Sequence, residues 1–341
     1  MFVGLALLVS VCGPAAAADE DAPSGDLPKT VGSIIAADDR FADVIAEDAE
    51  LEVLAGGFEW TEGPLWMPED GGYLLFSEIP SNTIRRWSPK DGVSIWMQPS
   101  GYTGVAKYGR EPGSNGLARD TQGRLLCCEH GDRRISRLTT GGGKRTLIDA
   151  FEGLRLNSPN DLVVSSNGSI YFTDPPYGLP EGMGDAQQEL DFCGVYRLSP
   201  EGELTLLTRE FDRPNGIGLS PDGKLLYVNQ SDPKTPILKV FDVQDDGDIR
   251  NGRVFHDFSA VAGSHPGLPD GLAIDREGRI FATGPGGVWI FDPDGTLLGR
   301  LDTGQATSNC AFGGPDGSHL FITADMYVLR VPTKTSGFLP Y

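Results

Sequence analysis

The chain has 341 residues, 46 of them Gly and 25 Pro, and a formal net charge of −20. Long helical periodicities are few and short apolar runs many, so the composition describes a turn-dense all-β chain whose length one closed domain accounts for. The acidic balance excludes nucleic acid and anionic membrane surfaces as partners, because a polyphosphate is repelled, and nothing after residue 18 approaches the length of a membrane span.

The N-terminus opens with an apolar run, FVGLALLVSV (2–11), followed by the small-residue stretch AAAADE (15–20). This pattern predicts a signal peptide over residues 1–18, cut near Ala18, and an exported protein, periplasmic or extracellular. Residues 19–50, rich in Asp, Ala and Pro, read as an acidic leader with a short helix. LEVLAGG (51–57) reads as a strand, and residues 51–341 form the main domain.

Within that domain one pattern returns six times: a polar residue, a small residue, an apolar run, then a turn Gly. The polar residues are Glu62, Asn115, Asn160, Asn215, Asp270 and Asn309; the Gly follows eight positions later in every copy but the first, which is looser. A second β run follows each turn: YLLFSE (73–78), RLLCCEH (124–130), SIYFTD (169–174), KLLYVNQ (224–230), RIFATG (279–284) and HLFITAD (319–325). Each repeat is therefore a hairpin, and a period of roughly 40 to 55 residues belongs to propeller blades. Third strands such as GVYRLSPEG (194–202) and fourth runs such as LTLLT (204–208) complete the units. The pattern predicts a six-bladed β-propeller with four antiparallel strands per blade. An open last blade would expose an unpaired edge, so the strand at 51–57 is expected to close the ring.

The register carries chemistry. If the polar residue opens the innermost strand of each blade, all six converge on one mouth of the central channel, and the ends of the second strands, with Glu129, His130, Asp174 and Gln230, return to the same mouth. Asn and Asp are ordinary turn formers, but Glu62 is not, and it stands at the same register. Two carboxylates plus several amide oxygens, with no Cys or imidazole, suit one hard divalent cation; two charges match Ca²⁺, with Zn²⁺, Mn²⁺ or Mg²⁺ as alternatives. Glu62, Asn160, Asn215 and Asp270 are the expected ligands. Long rim loops at 101–115 and 175–192 carry polar and aromatic residues, among them Tyr177, suited to a polyhydroxylated ring. Asn115, Glu129, Tyr177 and Asn309 are expected to contact substrate.

EGPLW (62–66), PNDLVVS (159–165), PNGIGLSPDG (214–223) and LPDGLAID (268–275) resemble the motifs of the gluconolactonase, regucalcin and senescence marker protein family, in that family's order and spacing. CCEHGDRR (127–134) and TDPPYG (173–178) resemble its bacterial gluconolactonase branch in particular. The resemblance covers the chain from about residue 40 onward. It implies a six-bladed propeller that binds one divalent cation through Glu62, Asn160, Asn215 and Asp270 and hydrolyses sugar lactones. A similar ligand set in the diisopropylfluorophosphatase propellers leaves a phosphotriesterase or arylesterase-like hydrolase as an alternative; a non-catalytic ligand-binding propeller is another. For a lactonase, a cation polarises the carbonyl and activates water while Asp270 or His130 takes the proton.

Four cysteines follow the signal segment, Cys127, Cys128, Cys193 and Cys310. Cys127 and Cys128 stand in a β run as core thiols, and no obligatory disulfide is expected. No G-x-S-x-G elbow, zinc helix or Gly-rich phosphate loop is present.

Overall fold

A computed structural model describes residues 27–338. The signal peptide expected over residues 1–18, and the start of the acidic leader, lie outside the described residues.

The six repeats form six antiparallel sheets around a central channel, a six-bladed β-propeller. In blade 1 the strands run, from the channel outward, Thr61–Met67, Tyr73–Glu78, Thr83–Ser88 and Gly92–Met97. The innermost strands of the next five blades are Ser114–Arg119, Leu162–Val164, Pro214–Leu219, Leu272–Ile274 and Thr307–Gly313.

Hairpin geometry follows from the turn residues. Asp120 Oδ1 accepts from the Gln122 and Arg124 amides, both at 2.9 Å, and Gly123 takes a φ of +76°, the left-handed value that closes the turn without a Cβ penalty. Second strands are packed on both faces by their neighbours: Leu125–Glu129 and Ile170–Asp174 are buried at every position. Between blades 1 and 2 the core is built from Leu65, Leu75, Leu117, Leu125 and Cys127. Cys127, Cys128, Cys193 and Cys310 are buried and free, and Cys127 and Cys128 pack in the core as expected.

Glu52–Gly56 pairs with Tyr327–Pro332 and completes blade 6, so the first and last parts of the domain share one sheet. Ser33–Ala36 was not foreseen as a strand. It adds to the outer edge of blade 5 by pairing with Leu297–Asp302. The expected short helix is a single 3-10 turn, Asp39–Asp43, capped by the Asp38 side chain. Phe41, Val44 and Ile45 from this leader, with Leu51 directly after it, pack against Phe281, Leu298 and Leu329 of blades 5 and 6. Burying these four side chains contributes roughly 2 kcal/mol each and holds the described part of the leader against the propeller.

Candidate metal and active site

Each ring residue stands where the innermost strand loses its regular register. Bulges separate Glu62 from Leu65, Ser114 from Leu117, Pro214 from Ile217 and Thr307 from Asn309. In blades 3 and 5 the ladder begins only at Leu162 and Leu272, two residues after Asn160 and Asp270. A bulge turns a side chain away from the sheet's alternation, here toward the channel. The small residue that follows is dictated by crowding: a Cβ on Gly216 would strike the Asp270 carbonyl, and one on Gly271 the Asn309 amide.

Bonds between blades hold the ring. The amides of Gly116 and Gly216 donate to the carbonyls of Asn160 (2.8 Å) and Asp270 (3.0 Å) in the next blade. Ser77 and Thr173 hydroxyls donate to the carbonyls of Asn115 and Asn215, each at 2.7 Å, and Asn229 Nδ2 to that of Asp270, also at 2.7 Å. Blade 2 has Cys128 at the corresponding position of its second strand.

Glu62, Asn115, Asn160, Asn215 and Asp270 all line one cavity of about 390 Å³. Tyr177 joins them, as expected from the sequence, together with Trp60, Glu111, Arg213, Ser231 and Leu268, which sequence reasoning did not single out. A separate cavity of about 220 Å³ lies further along the same inner strands and is walled largely by apolar side chains such as Leu65, Leu117, Ile217 and Phe312.

Burial dominates the electrostatics of the mouth. It raises the Glu62 carboxyl from its ordinary 4.5 to about 8, against the pull of a 2.9 Å bond from the Gly63 amide, with Asp161 adding like charge. Asp270 is raised well above the usual carboxylate range by burial and then by Glu62 and Asp161. Asp161, one residue past Asn160, is lifted by burial to about 7. A cation beside acids gathered out of water in this way would stabilise their anionic forms.

The donor set fits such a cation. Asn115 Oδ1, Asn160 Oδ1 and Asp270 Oδ1 are buried without a hydrogen-bond partner. Asn215 Nδ2 donates to Ser231 Oγ at 2.9 Å, and that hydroxyl donates to the Pro269 carbonyl, which leaves the Asn215 oxygen free. No cluster of three His, Cys, Asp or Glu ligands occurs among the described residues, so the candidate centre is a mixed carboxylate and amide site. Oxygen-only donors of this kind suit Ca²⁺ or a comparable hard ion.

Three expected site residues lie off the cavity wall. His130 is fully buried behind Asn115, with Nε2 at 3.4 Å from Asn115 Nδ2, so it is not placed to take a proton from water in the cavity. Glu129 is also fully buried and serves an ionic cluster: Arg134 Nε lies 2.7 Å and Lys144 Nζ 2.8 Å from its carboxylate, and Ser136 donates to it. Asn309 bonds Asp161 Oδ2 at 3.4 Å, its side chain also hydrogen-bonds the Glu62 carboxyl, and it lines the apolar cavity. The strand ends do return to this mouth, but their side chains build loops. Asp174 accepts from the Asn157 and Ser158 amides, both at 2.8 Å, and Gln230 from the Asp212 amide at 2.9 Å. Arg133, almost wholly buried, donates to the carbonyls of Leu156 (2.8 Å), Asn157 (3.0 Å) and Gln187 (2.7 Å). It ties the segment before Asn160 to the loop that carries Tyr177. His256 is packed among Phe258, Trp289 and Phe291, away from the mouth.

Residues 60–325 match the family model described as SMP-30/Gluconolactonase/LRE-like region. The chain is 41% identical over 319 residues to a gluconolactonase of Zymomonas mobilis subsp. mobilis, covering 90% of this chain and 88% of that one. It is 27% identical to pentonolactonase XacC of Haloferax volcanii, over 77% of this chain and 80% of that protein. The solved structure of a Xanthomonas campestris gluconolactonase superposes with a TM-score of 0.76 at 32% identity, covering 90% of this chain and 97% of the other. The match spans all six ring residues and both ends of the cavity lining, and the chain belongs to the SMP-30/gluconolactonase/LRE-like family.

Proposed function

We propose that this protein hydrolyses sugar lactones, with a divalent cation held by Glu62, Asn160, Asn215 and Asp270. The observation that carries this reading is the concentration of buried acids and unpartnered amide oxygens around one cavity. Its volume of about 390 Å³ falls within the range of small-ligand pockets, roughly 300–1,000 Å³. Relatives named gluconolactonase and pentonolactonase support the substrate class.

When bound, the cation supplies Lewis-acid polarisation of the lactone carbonyl and lowers the pKa of water. The residues of the chain do the rest. Asp270 lines the cavity and keeps an unpartnered carboxyl oxygen, and it takes the proton as water oxygen attacks the carbonyl carbon. The ring C–O bond then breaks, and the same carboxyl returns the proton to the departing ring oxygen, giving the open hydroxy acid. Trp60, Tyr177 and Leu268 wall the cavity against bulk solvent, while Arg213 offers polar contacts to sugar hydroxyls.

The test is hydrolysis of glucono-1,5-lactone, followed with a pH indicator, after chelation and after restoring Ca²⁺, Zn²⁺, Mn²⁺ or Mg²⁺ separately. Turnover above the spontaneous rate that returns with one ion is the expected result. Cation binding without lactone turnover would redirect the reading to another ester or a phosphoester. Absence of any cation binding would overturn the proposed centre.

A further inference from the structure

His130 and Glu111 meet Asn115 in an arrangement that fixes which end of its amide the cavity sees. The His130 ring is fully buried, its main-chain amide bonds the Gly113 carbonyl at 3.1 Å, and Gly178 packs so closely against it that no side chain fits there. One ring nitrogen, Nε2, lies 3.4 Å from Asn115 Nδ2. The other, Nδ1, lies 3.3 Å from Glu111 Oε2, within ion-pair distance though off the angle of a full hydrogen bond. Glu111 and Asn115 both line the cavity; His130 does not.

For a neutral imidazole, donor and acceptor chemistry leaves one consistent assignment. An amide NH₂ only donates, so Nε2 must accept, and the single proton of a neutral imidazole stands on Nδ1, facing a carboxylate that only accepts. Asn115 Oδ1 is then the free end, and it is buried without a partner. Rotating the amide by half a turn would set its oxygen against the lone pair of Nε2. Moving the proton to Nε2 to relieve that would leave Nδ1 and the Glu111 carboxylate as two facing acceptors.

We infer that Glu111 and His130 are positioning residues that lock the Asn115 amide with its oxygen toward the cavity, where it accepts from a ring hydroxyl of the lactone. This rests on the proposed lactonase reading for the substrate but not for the lock. A locked acceptor discriminates between lactones that carry the hydroxyl and those that lack it, because an unmatched buried oxygen is costly.

Two measurements decide it. Nitrogen-15 NMR of the imidazole-labelled protein at mildly alkaline pH, with the His130 signals assigned by their loss in His130→Phe, should show a protonated Nδ1 and an unprotonated Nε2. The opposite tautomer would overturn the lock whether or not the protein is a lactonase. The second is the ratio of kcat/KM for glucono-1,5-lactone to that for δ-valerolactone, which has no ring hydroxyls, in the wild type, Glu111→Ala and His130→Phe. Glu111 is partly exposed, so its variant should leave the buried ring in place. The ratio should fall about tenfold in both variants. An equal loss on both lactones, or a cation affinity that falls in step with the ratio, would assign these residues to folding or to the cation and remove the proposed role.

Discussion

Asp270 and Glu62 are both buried carboxylates of one ring, yet their surroundings separate them. Glu62 accepts from the Gly63 amide, which steadies one of its oxygens, whereas Asp270 keeps a buried oxygen with no partner. Asp270→Asn preserves shape and removes both the charge and the proton acceptor. Turnover of glucono-1,5-lactone in that variant should fall roughly 10³-fold, as loss of a general base does, and calorimetric cation affinity should weaken. Full activity would exclude Asp270 as the base. Its place was legible from the repeat alone, because a shared register around a closed ring forces convergence. His130 and Glu129 were assigned by the same logic and stand off the cavity wall, since register fixes where a backbone position lies but not whether its side chain faces the cavity or a neighbour. Ser231, one residue past the last polar residue of a second strand, lines the cavity, while Gln230 turns into its own loop. Glu111 and Arg213 lie in connections outside the repeat, where no periodic signal exists to mark them.

The innermost strands show how an ordinary blade is adapted to a site. Four of the six ring residues sit beside a bulge and two stand before their ladder begins, so the ring forms where sheet pairing is weakest. The bonds from Gly116, Gly216, Ser77 and Thr173 to the next blade replace the missing pairing. The strand count and the closing role of residues 51–57 were readable because hairpin turns and apolar runs are local signals. The strand Ser33–Ala36 was not, because its pairing with blade 5 depends on tertiary burial of the leader. Closure makes a specific expectation at this scale. A chain beginning at residue 58 lacks Glu52–Gly56 and leaves Tyr327–Pro332 as an open edge, so it should aggregate on size-exclusion chromatography. A chain beginning at residue 38 loses the outer strand of blade 5 and the bonds of Lys29 and Val31 to the closing strand of blade 6, and should elute as a folded protein with a lowered Tm.

Across the whole molecule, a net charge of −20 and a channel mouth holding buried acids act in the same direction. Without a cation, burial sets Glu62 at about 8 instead of 4.5, and Asp161 and Asp174 at about 7 instead of 3.8. Each folded pKa stands above its unfolded value. Between the two, the folded chain therefore holds a proton that the unfolded chain has released, and stability falls as pH rises, on the order of 1 kcal/mol per pH unit for each group. That contribution is complete below about pH 4 and spent once pH passes about 8. In calorimetric scans of chelated protein, Tm should decline steadily from pH 5 to pH 8. A saturating divalent cation binds the ionised carboxylates of the folded state alone, so it should raise Tm most at the alkaline end, by roughly 2.7 kcal/mol of stabilisation at a hundredfold excess over Kd. Asp174 lies behind the wall, bonded to the Asn157 and Ser158 amides, and its share of the decline should survive cation addition. A Tm of the chelated protein that stays level or climbs across this window would mean that the acids at the mouth are already compensated, and the case for a cation there would lose its electrostatic basis.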